Sequence, residues 1–143
     1  MLKGINKIIT PDLLYVLAKM GHGDEIVISD GNFPGESIGR QTLRADGSDV
    51  PELLSAILEL FPLDTYAPPV YLMDKAECDR DLEIPIWEEY RKILADHTDA
   101  EPVMVERYAF YEQAKKAYAV VVTGESAIYA NIILKKGVVK ADG

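Results

Sequence analysis

Residues 10–34, TPDLLYVLAKMGHGDEIVISDGNFP, join a helix pattern to a buried-strand pattern through a histidine that has a glycine on each side. The helix start at Thr10 supplies a capping hydroxyl, a proline for the first turn and a carboxylate that favours the helix dipole. One apolar stripe follows at the i, i+3, i+4 and i+7 spacing of a helix: Leu13, Val16, Leu17 and Met20. The β-branched run at residues 25–29 then predicts a buried strand, and residues 30–36 predict a loop.

Helix and strand patterns continue to alternate beyond this stretch. Further helices are predicted to begin at Pro51 and Pro85 and to cover residues 108–117, with Trp87 in the core. Further strands are predicted at residues 70–73, 103–105, 118–122 and 129–134. The alternation predicts an α/β fold, in which residues 1–143 form a single three-layer domain with a largely parallel or mixed sheet covered by helices.

Charge and cysteine content restrict the classes of function. The chain has 15 Lys and Arg residues against 24 Asp and Glu residues, a formal net charge of −9. An acidic chain without a basic cluster is a poor partner for nucleic acid or for an anionic membrane. One cysteine, Cys78, excludes an internal disulfide and is predicted to be an idle surface thiol. With no signal peptide and no apolar run of membrane-spanning length, a cytoplasmic protein is expected.

Two residues of the opening stretch can carry chemistry. His22 lies between glycines, which lack a β-carbon and let a ligand come close; alternatively, it only interacts with the dipole at the end of the first helix. Asp30 directly follows the buried strand, and ligands of open α/β sheets lie outside the carboxyl ends of strands. The alternative for Asp30 is an Asx turn. The other histidine, His97, lies in a polar stretch that predicts an exposed loop.

Three polar residues later in the chain are further candidates. Arg107 follows a short strand and could bind ligand oxygens through its five donors, or form a structural ion pair. Tyr129 and Asn131 alternate with Ile133 on one face of the last predicted strand, and could bind hydroxyls or simply face solvent. The chain has no phosphate-binding glycine loop, dinucleotide motif, zinc spacing or nucleophile elbow. The remaining groups are suited to proton transfer on a neutral polyhydroxylated ligand, with no cofactor and no metal.

Several separated blocks resemble the L-fucose mutarotase and D-ribose pyranase family, in the same order and over nearly the whole chain. These blocks are residues 1–6 (MLKGIN), 20–25 (MGHGDE), 30–34 (DGNFP), 111–117 (YEQAKKA), 123–125 (TGE) and 129–138 (YANIILKKGV). The Gly-His-Gly-Asp and Asn-Phe-Pro segments are more similar to the fucose branch than to the ribose branch. Gly31 and Gly35 stand where we expect alanines, and they are predicted to loosen this loop.

The resemblance implies a cofactor-free isomerase that interconverts anomers of a monosaccharide, with L-fucose favoured, by acid–base ring opening and closure. It implies that His22 transfers the proton and that Asp30, Arg107 and the segment Tyr129-Ala130-Asn131 bind the sugar. Tyr129 is our candidate for a second proton-transfer group. The resemblance also implies a ring-shaped homo-oligomer, commonly a decamer, with sites completed by a neighbouring subunit.

Three alternatives stay open at this point. The first is the same chemistry on D-ribose, which would interconvert pyranose and furanose forms. The second is a non-catalytic monosaccharide-binding protein, which would leave anomer exchange at its rate in water. The third is a metal-dependent lyase or isomerase, although the sequence offers no ligand cluster for it.

Overall fold

The computed structural model describes residues 1–141. In this range the α-helices are α1 (Pro11–Lys19), α2 (Gly35–Ile38), α3 (Val50–Leu58), α4 (Pro85–Leu94) and α5 (Arg107–Lys116), with a short 3-10 helix at Glu77–Asp79. The strands are β1 (Glu25–Ser29), β2 (Thr42–Ala45), β3 (Val70–Met73), β4 (Val103–Val105), β5 (Ala119–Thr123) and β6 (Ile132–Lys135). None of the helices in residues 1–141 combines the length and the apolar content that a membrane crossing requires.

The strands form one mixed sheet in the order β2-β5-β1-β6-β3-β4. β6 runs antiparallel to both of its neighbours, β1 and β3, whereas the β1–β5, β2–β5 and β3–β4 pairs are parallel. Five strands therefore end at one end of the sheet, here called the carboxyl end, and β6 begins there. The opposite end, where those five strands begin, is called the amino end.

Helices cover both faces of the sheet, which confirms the predicted α/β fold. Ile26 and Ile28 of β1 face a core that contains buried residues of α1, α3 and α4. Val27, between them, faces a second core with Phe110 and Ala114 of α5. The alternation along β1 follows from the two-residue period of a strand. The predicted stripe is buried in the first core: Leu13, Val16 and Leu17 of α1, and Met20, which follows the end of this helix.

The last strand begins later than predicted. It starts at Ile132, not at Tyr129, because Tyr129 has a φ of 56° and a left-handed backbone cannot continue a strand. The prediction that Tyr129, Asn131 and Ile133 alternate on one strand face is therefore wrong. Trp87, which was predicted in the core, is half-buried and packs against the first core. Cys78 and His97 are exposed, as predicted.

The prediction that Gly35 loosens the loop after Asp30 is wrong. It is buried at the start of α2, and a β-carbon there would lie 2.5 Å from Cγ2 of Val122 in β5. The glycine thus lets the short helix α2 come into direct contact with the sheet. This helix and the edge strand β2 were not predicted, since β2 carries no buried residue that would reveal a strand pattern.

Candidate active site

A cavity of about 270 Å³ lies at the carboxyl end of the sheet. Its walls come from the segments that follow β1, β3 and β4 and from the segment that precedes β6. Lining it are Asp30, Asn32, Phe33, Met73, Ala76, Asp79, Arg107, Tyr111, Ile128, Tyr129 and Asn131. The position agrees with the general location of ligands in open α/β sheets. The volume lies slightly below the range of pockets for drug-sized molecules, so the cavity is suited to a small ligand.

Asp30 and Asn131 form the floor of this cavity. The Asp30 side chain is buried at 7% exposure, and its Oδ1 accepts a hydrogen bond of 2.9 Å from the backbone N–H of Asn32. This is the predicted Asx turn, so Asp30 both shapes the turn and lines the cavity. The Asp30 backbone N–H donates to Oδ1 of Asn131 at 2.9 Å, which leaves the Asn131 amide nitrogen as the donor available to a ligand.

Burial governs the electrostatics of Asp30. Desolvation raises the pKa of its carboxyl group above the ordinary value, against the opposing effect of backbone hydrogen bonds from Asn32 and Phe33. A buried carboxylate of this kind is a strong hydrogen-bond acceptor once a ligand hydroxyl reaches it, because solvent does not compete for its oxygens.

Tyr129 is held in a strained conformation by hydrogen bonds from two other segments. A φ of 56° is uncommon for a residue other than glycine and costs roughly 1–3 kcal/mol. The Trp87 indole N–H donates to the Tyr129 carbonyl at 2.7 Å. At the other end of the residue, the phenol oxygen accepts from the Ala76 N–H at 3.1 Å and donates to Oδ2 of Asp79 at 2.5 Å. The phenol is thus fixed in position at the cavity wall.

Arg107 stands at the cavity mouth, at the start of α5. Its Nε donates to the Tyr111 hydroxyl at 3.1 Å, and its guanidinium carbon lies 5.3 Å and 5.4 Å from the ring centres of Tyr108 and Tyr111. No salt bridge joins Arg107 to an acidic residue within residues 1–141, so the structural ion pair considered above is not formed there. Its remaining N–H donors are free for ligand oxygens.

Ala130 lies behind the cavity wall. It is fully buried, and its carbonyl accepts a hydrogen bond of 2.6 Å from the Tyr90 hydroxyl. Ala130 therefore anchors the segment that carries Tyr129 and Asn131, and its predicted role in sugar binding stays a prediction.

His22 lies at the amino end of the sheet, away from this cavity. It precedes β1 while Asp30 follows it, and at roughly 3.3 Å per residue the strand separates them by about 20 Å. The structure of one chain therefore brings together Asp30, Arg107, Tyr129 and Asn131, and leaves His22 at the opposite end of the molecule.

A carboxylate fixes the His22 ring. Nε2 of His22 lies 3.0 Å from Oδ1 of Asp64, and the side chains are 46% and 3% exposed, respectively. The same Oδ1 accepts from the backbone N–H groups of Thr65 and Tyr66 at 2.9 Å and 3.2 Å. Burial alone would raise the pKa of Asp64, but the hydrogen bonds from His22 and the backbone outweigh it and lower the pKa. Since Nε2 is engaged, Nδ1 is the nitrogen left to exchange a proton with a ligand.

Sequence reasoning missed three residues of these two regions: Asp64, Asp79 and the Trp87 indole. Asp64 is 42 positions from His22 and reaches it only through the pairing of neighbouring strands. Asp79 lies in an acidic segment, where the residue type alone does not single it out. No arrangement of three or more His, Cys, Asp or Glu side chains suited to a metal ion occurs in residues 1–141.

Replacing Asp64 by Asn should slow any proton transfer through His22 by about tenfold or more, because the amide cannot stabilise the imidazolium as a carboxylate does. A depressed pKa means that ionised Asp64 stabilises the fold above the ordinary carboxyl pKa and that this contribution is lost as the pH falls through the lowered value. The margin in free energy of unfolding between the unsubstituted protein and Asp64→Asn should therefore be larger at about pH 7 than at about pH 3. Urea unfolding at both values measures it, and a margin independent of pH would contradict the prediction.

The family model described as the RbsD / FucU transport protein family matches residues 3–139. The chain belongs to this family. A fucose mutarotase from Danio rerio is 54% identical over 144 residues, which cover 96% of this chain and 94% of that protein.

Two solved structures are also similar to this chain. The fucose mutarotase in complex with L-fucose from Streptococcus pneumoniae has a TM-score of 0.91 and 48% identity, covering 97% of this chain and 100% of that one. RbsD from Bacillus subtilis, complexed with D-ribose, has a TM-score of 0.75 over 98% of this chain and 100% of its own. At 23% identity it shows the shared fold alone.

Proposed function

We propose that this protein is a mutarotase, an isomerase that interconverts the anomers of a monosaccharide, with L-fucose as substrate. The observation that carries the proposal is the cavity in which buried Asp30, the Asn131 amide, the fixed Tyr129 phenol and Arg107 converge. The similarity to fucose mutarotases at 48–54% identity supports L-fucose over D-ribose, because the ribose-complexed relative is only 23% identical.

The cavity offers complementary groups to a sugar ring. The Asp30 carboxylate accepts from a ring hydroxyl, while the Asn131 amide and the Arg107 guanidinium donate to others. Phe33 and Tyr111, whose ring centres are 5.5 Å apart in an edge-to-face arrangement, add an apolar wall. Such a wall accepts the methyl group that L-fucose carries in place of a hydroxymethyl group, though one group of this size discriminates only about 10–200-fold.

Mutarotation requires two proton transfers and no redox chemistry. The ring oxygen gains a proton as the anomeric hydroxyl loses one, the ring opens to the aldehyde, and closure on the other face of the carbonyl gives the second anomer. A histidine exchanges protons near neutral pH, and a positioned acid–base group contributes roughly 10²–10⁴-fold. In this mechanism His22 donates a proton to the ring oxygen, and Tyr129 accepts the proton that the anomeric hydroxyl loses. Sugars already mutarotate slowly in water, so a modest acceleration is enough.

We propose that the working site forms between subunits of a homo-oligomer, for which the family resemblance implies ten chains. The separation of His22 from the cavity within one chain supports this arrangement, since the partner subunit's His22 could then meet the sugar held by Asp30. Exposed apolar side chains near the amino end, such as Tyr66 beside His22, provide surface for such a contact. Closed symmetric assemblies are the usual form of soluble homo-oligomers.

Within this proposal each chain acts as one domain in the cytoplasm. Both helical layers pack on the same sheet, and the single thiol, Cys78, is exposed and unpaired, which fits a reducing compartment.

Saturation-transfer NMR across a panel of deoxyhexoses and pentoses tests the function. Anomer exchange of L-fucose should rise in proportion to protein concentration and should exceed the effect on D-ribose, and chelators should leave it unchanged. Faster exchange of D-ribose would favour the pyranase alternative. Binding of L-fucose with exchange at the solvent rate would identify a non-catalytic sugar-binding protein and overturn the proposal.

A further inference from the structure

The hydrogen bonds of the Tyr129 phenol determine which way its proton points. A phenol oxygen has one hydrogen to donate and two sites that accept. The Ala76 backbone N–H, 3.1 Å away, can only donate, so it occupies one accepting site. A carboxylate can only accept, so Asp79 accepts the hydrogen bond from the phenol O–H over the 2.5 Å contact. One accepting site of the Tyr129 oxygen remains, and Tyr129, Ala76 and Asp79 all line the cavity.

This arrangement gives Tyr129 a specific task. Its oxygen can accept a hydrogen bond from a sugar hydroxyl but has no hydrogen of its own to offer. Mutarotation needs one group that donates a proton to the ring oxygen and one that accepts the proton of the anomeric hydroxyl. The phenol is therefore oriented to be the acceptor in the opening step, and it can accept a proton only if it passes its own proton to another group. Asp79 is the group that already accepts the hydrogen bond from that proton.

We infer, on the basis of the proposed function, that Asp79 is a positioning residue that acts through Tyr129 and stores the proton released by the sugar. In the opening step the anomeric O–H proton passes to the Tyr129 oxygen, and the phenol proton passes to the Asp79 carboxylate. The bond between the anomeric carbon and the ring oxygen breaks, and the ring oxygen takes its proton from the imidazolium of the partner subunit's His22. The products are the open-chain aldehyde, neutral histidine and protonated Asp79, and closure reverses each transfer.

The surroundings of Asp79 leave its carboxylate available for this role. Arg80, the adjacent cation, pairs instead with Asp74 at 3.3 Å and with Glu77 at 3.6 Å. The segment itself is fixed, since Lys75 donates to the carbonyls of Arg80 and Leu82 at 2.9 Å and 2.8 Å. The carboxylate is thus held against the phenol without a salt bridge to Arg80 that would prevent it from taking up a proton.

The electrostatics favour a coupled transfer. The hydrogen bond to Asp79 raises the pKa of the Tyr129 phenol, with burial and the nearby negative charge acting in the same direction against the Ala76 N–H. A free phenolate therefore does not accumulate. The sugar proton must arrive at the oxygen as the phenol proton leaves it, which the short contact with Asp79 permits.

Asp79→Asn tests the inference because asparagine keeps the shape and an accepting oxygen but cannot take up a proton. The expected result is a kcat for L-fucose exchange at least about tenfold lower, with KM within about twofold of the original, since the phenol stays oriented. Asp79→Glu, which restores a carboxylate, should recover part of the lost kcat. Asp81→Asn removes an exposed carboxylate of the same segment, and it should leave both constants unchanged. An unchanged kcat in Asp79→Asn, or a raised KM alone, would overturn the inference.

A second measurement does not depend on turnover. With 3-fluorotyrosine incorporated, fluorine NMR follows the titration of each phenol, and Tyr129→Phe identifies the Tyr129 signal. The pKa of Tyr129 should fall in Asp79→Asn, because the charge that raises it is removed. An unchanged pKa of Tyr129 would show that the phenol does not donate its hydrogen bond to the Asp79 carboxylate. If the unsubstituted protein accelerated no sugar exchange, the proposed function would fail, whereas the titration would still report on the Tyr129–Asp79 contact.

Discussion

Two inactive variants are expected to restore sugar exchange when they assemble together. His22→Ala should lower the exchange rate at least about tenfold, because the positioned acid–base group is lost. Asp30→Asn should also be impaired, through sugar binding. If each site takes its cavity from one chain and its histidine from a neighbour, random assembly of equal amounts leaves about a quarter of the sites intact.

The measurement uses the two variants co-expressed with different affinity tags. Mixed oligomers are purified over both tags and assayed by saturation transfer with L-fucose near the KM of the unsubstituted protein, a concentration at which the Asp30→Asn sites bind little sugar. Oligomers of each variant alone provide the baseline, and their circular dichroism verifies that both fold. Recovery well above that baseline supports a shared site. Mixed oligomers that show no recovery would mean that His22 does not complete the cavity of another chain.

Asp30→Asn is expected to bind sugar more weakly while it folds more stably at neutral pH. The variant keeps an accepting oxygen for the Asn32 N–H and loses only the charge. A hydrogen bond to a charged acceptor contributes about 1.5–3 kcal/mol, so the affinity for L-fucose should fall roughly tenfold to a hundredfold.

The stability change has the opposite sign because the pKa of Asp30 is raised by burial. Folding then favours the protonated acid, and the contribution of this group is fully present below the ordinary carboxyl pKa and is lost as the pH rises through the raised value. At about pH 7 the buried charge destabilises the fold, and the amide of Asp30→Asn removes this charge. At about pH 3 the two proteins should have the same free energy of unfolding. Urea unfolding at both values measures this, with Asp96→Asn, an exposed turn residue, as the control. A loss of stability at neutral pH would show that the Asp30 charge supports the fold.

The sequence was most informative where local chemistry decides the structure. The capped start at Thr10 and the apolar stripe from Leu13 to Met20 predict α1 because both signals lie within one helix. Asp30 was predicted at the carboxyl end of a buried strand for the same reason. Tyr129 shows the limit, since its left-handed backbone depends on hydrogen bonds from Trp87, Ala76 and Asp79, and no pattern within residues 129–134 encodes them.

The candidate site also combines residues that the local sequence identifies with residues that only the fold brings together. Residue type and family resemblance selected His22, but its partner Asp64 comes from a segment 42 residues away and is brought there by the pairing of β1, β6 and β3. The strand predicted at residues 25–29 lies between His22 and Asp30, so these residues, only eight positions apart, stand at opposite ends of the sheet. That separation follows from the direction of the short strand between them.

The placement of these two residues on either side of β1 has a consequence for gene dosage. If each chain contributes its imidazole to the site of one neighbour and completes its own cavity with the imidazole of another, a chain that has lost both groups inactivates two sites. Activity in a population of intact and doubly defective chains would then fall with the square of the intact fraction, so a cell that makes both chains in equal amounts would retain far less than half of its activity.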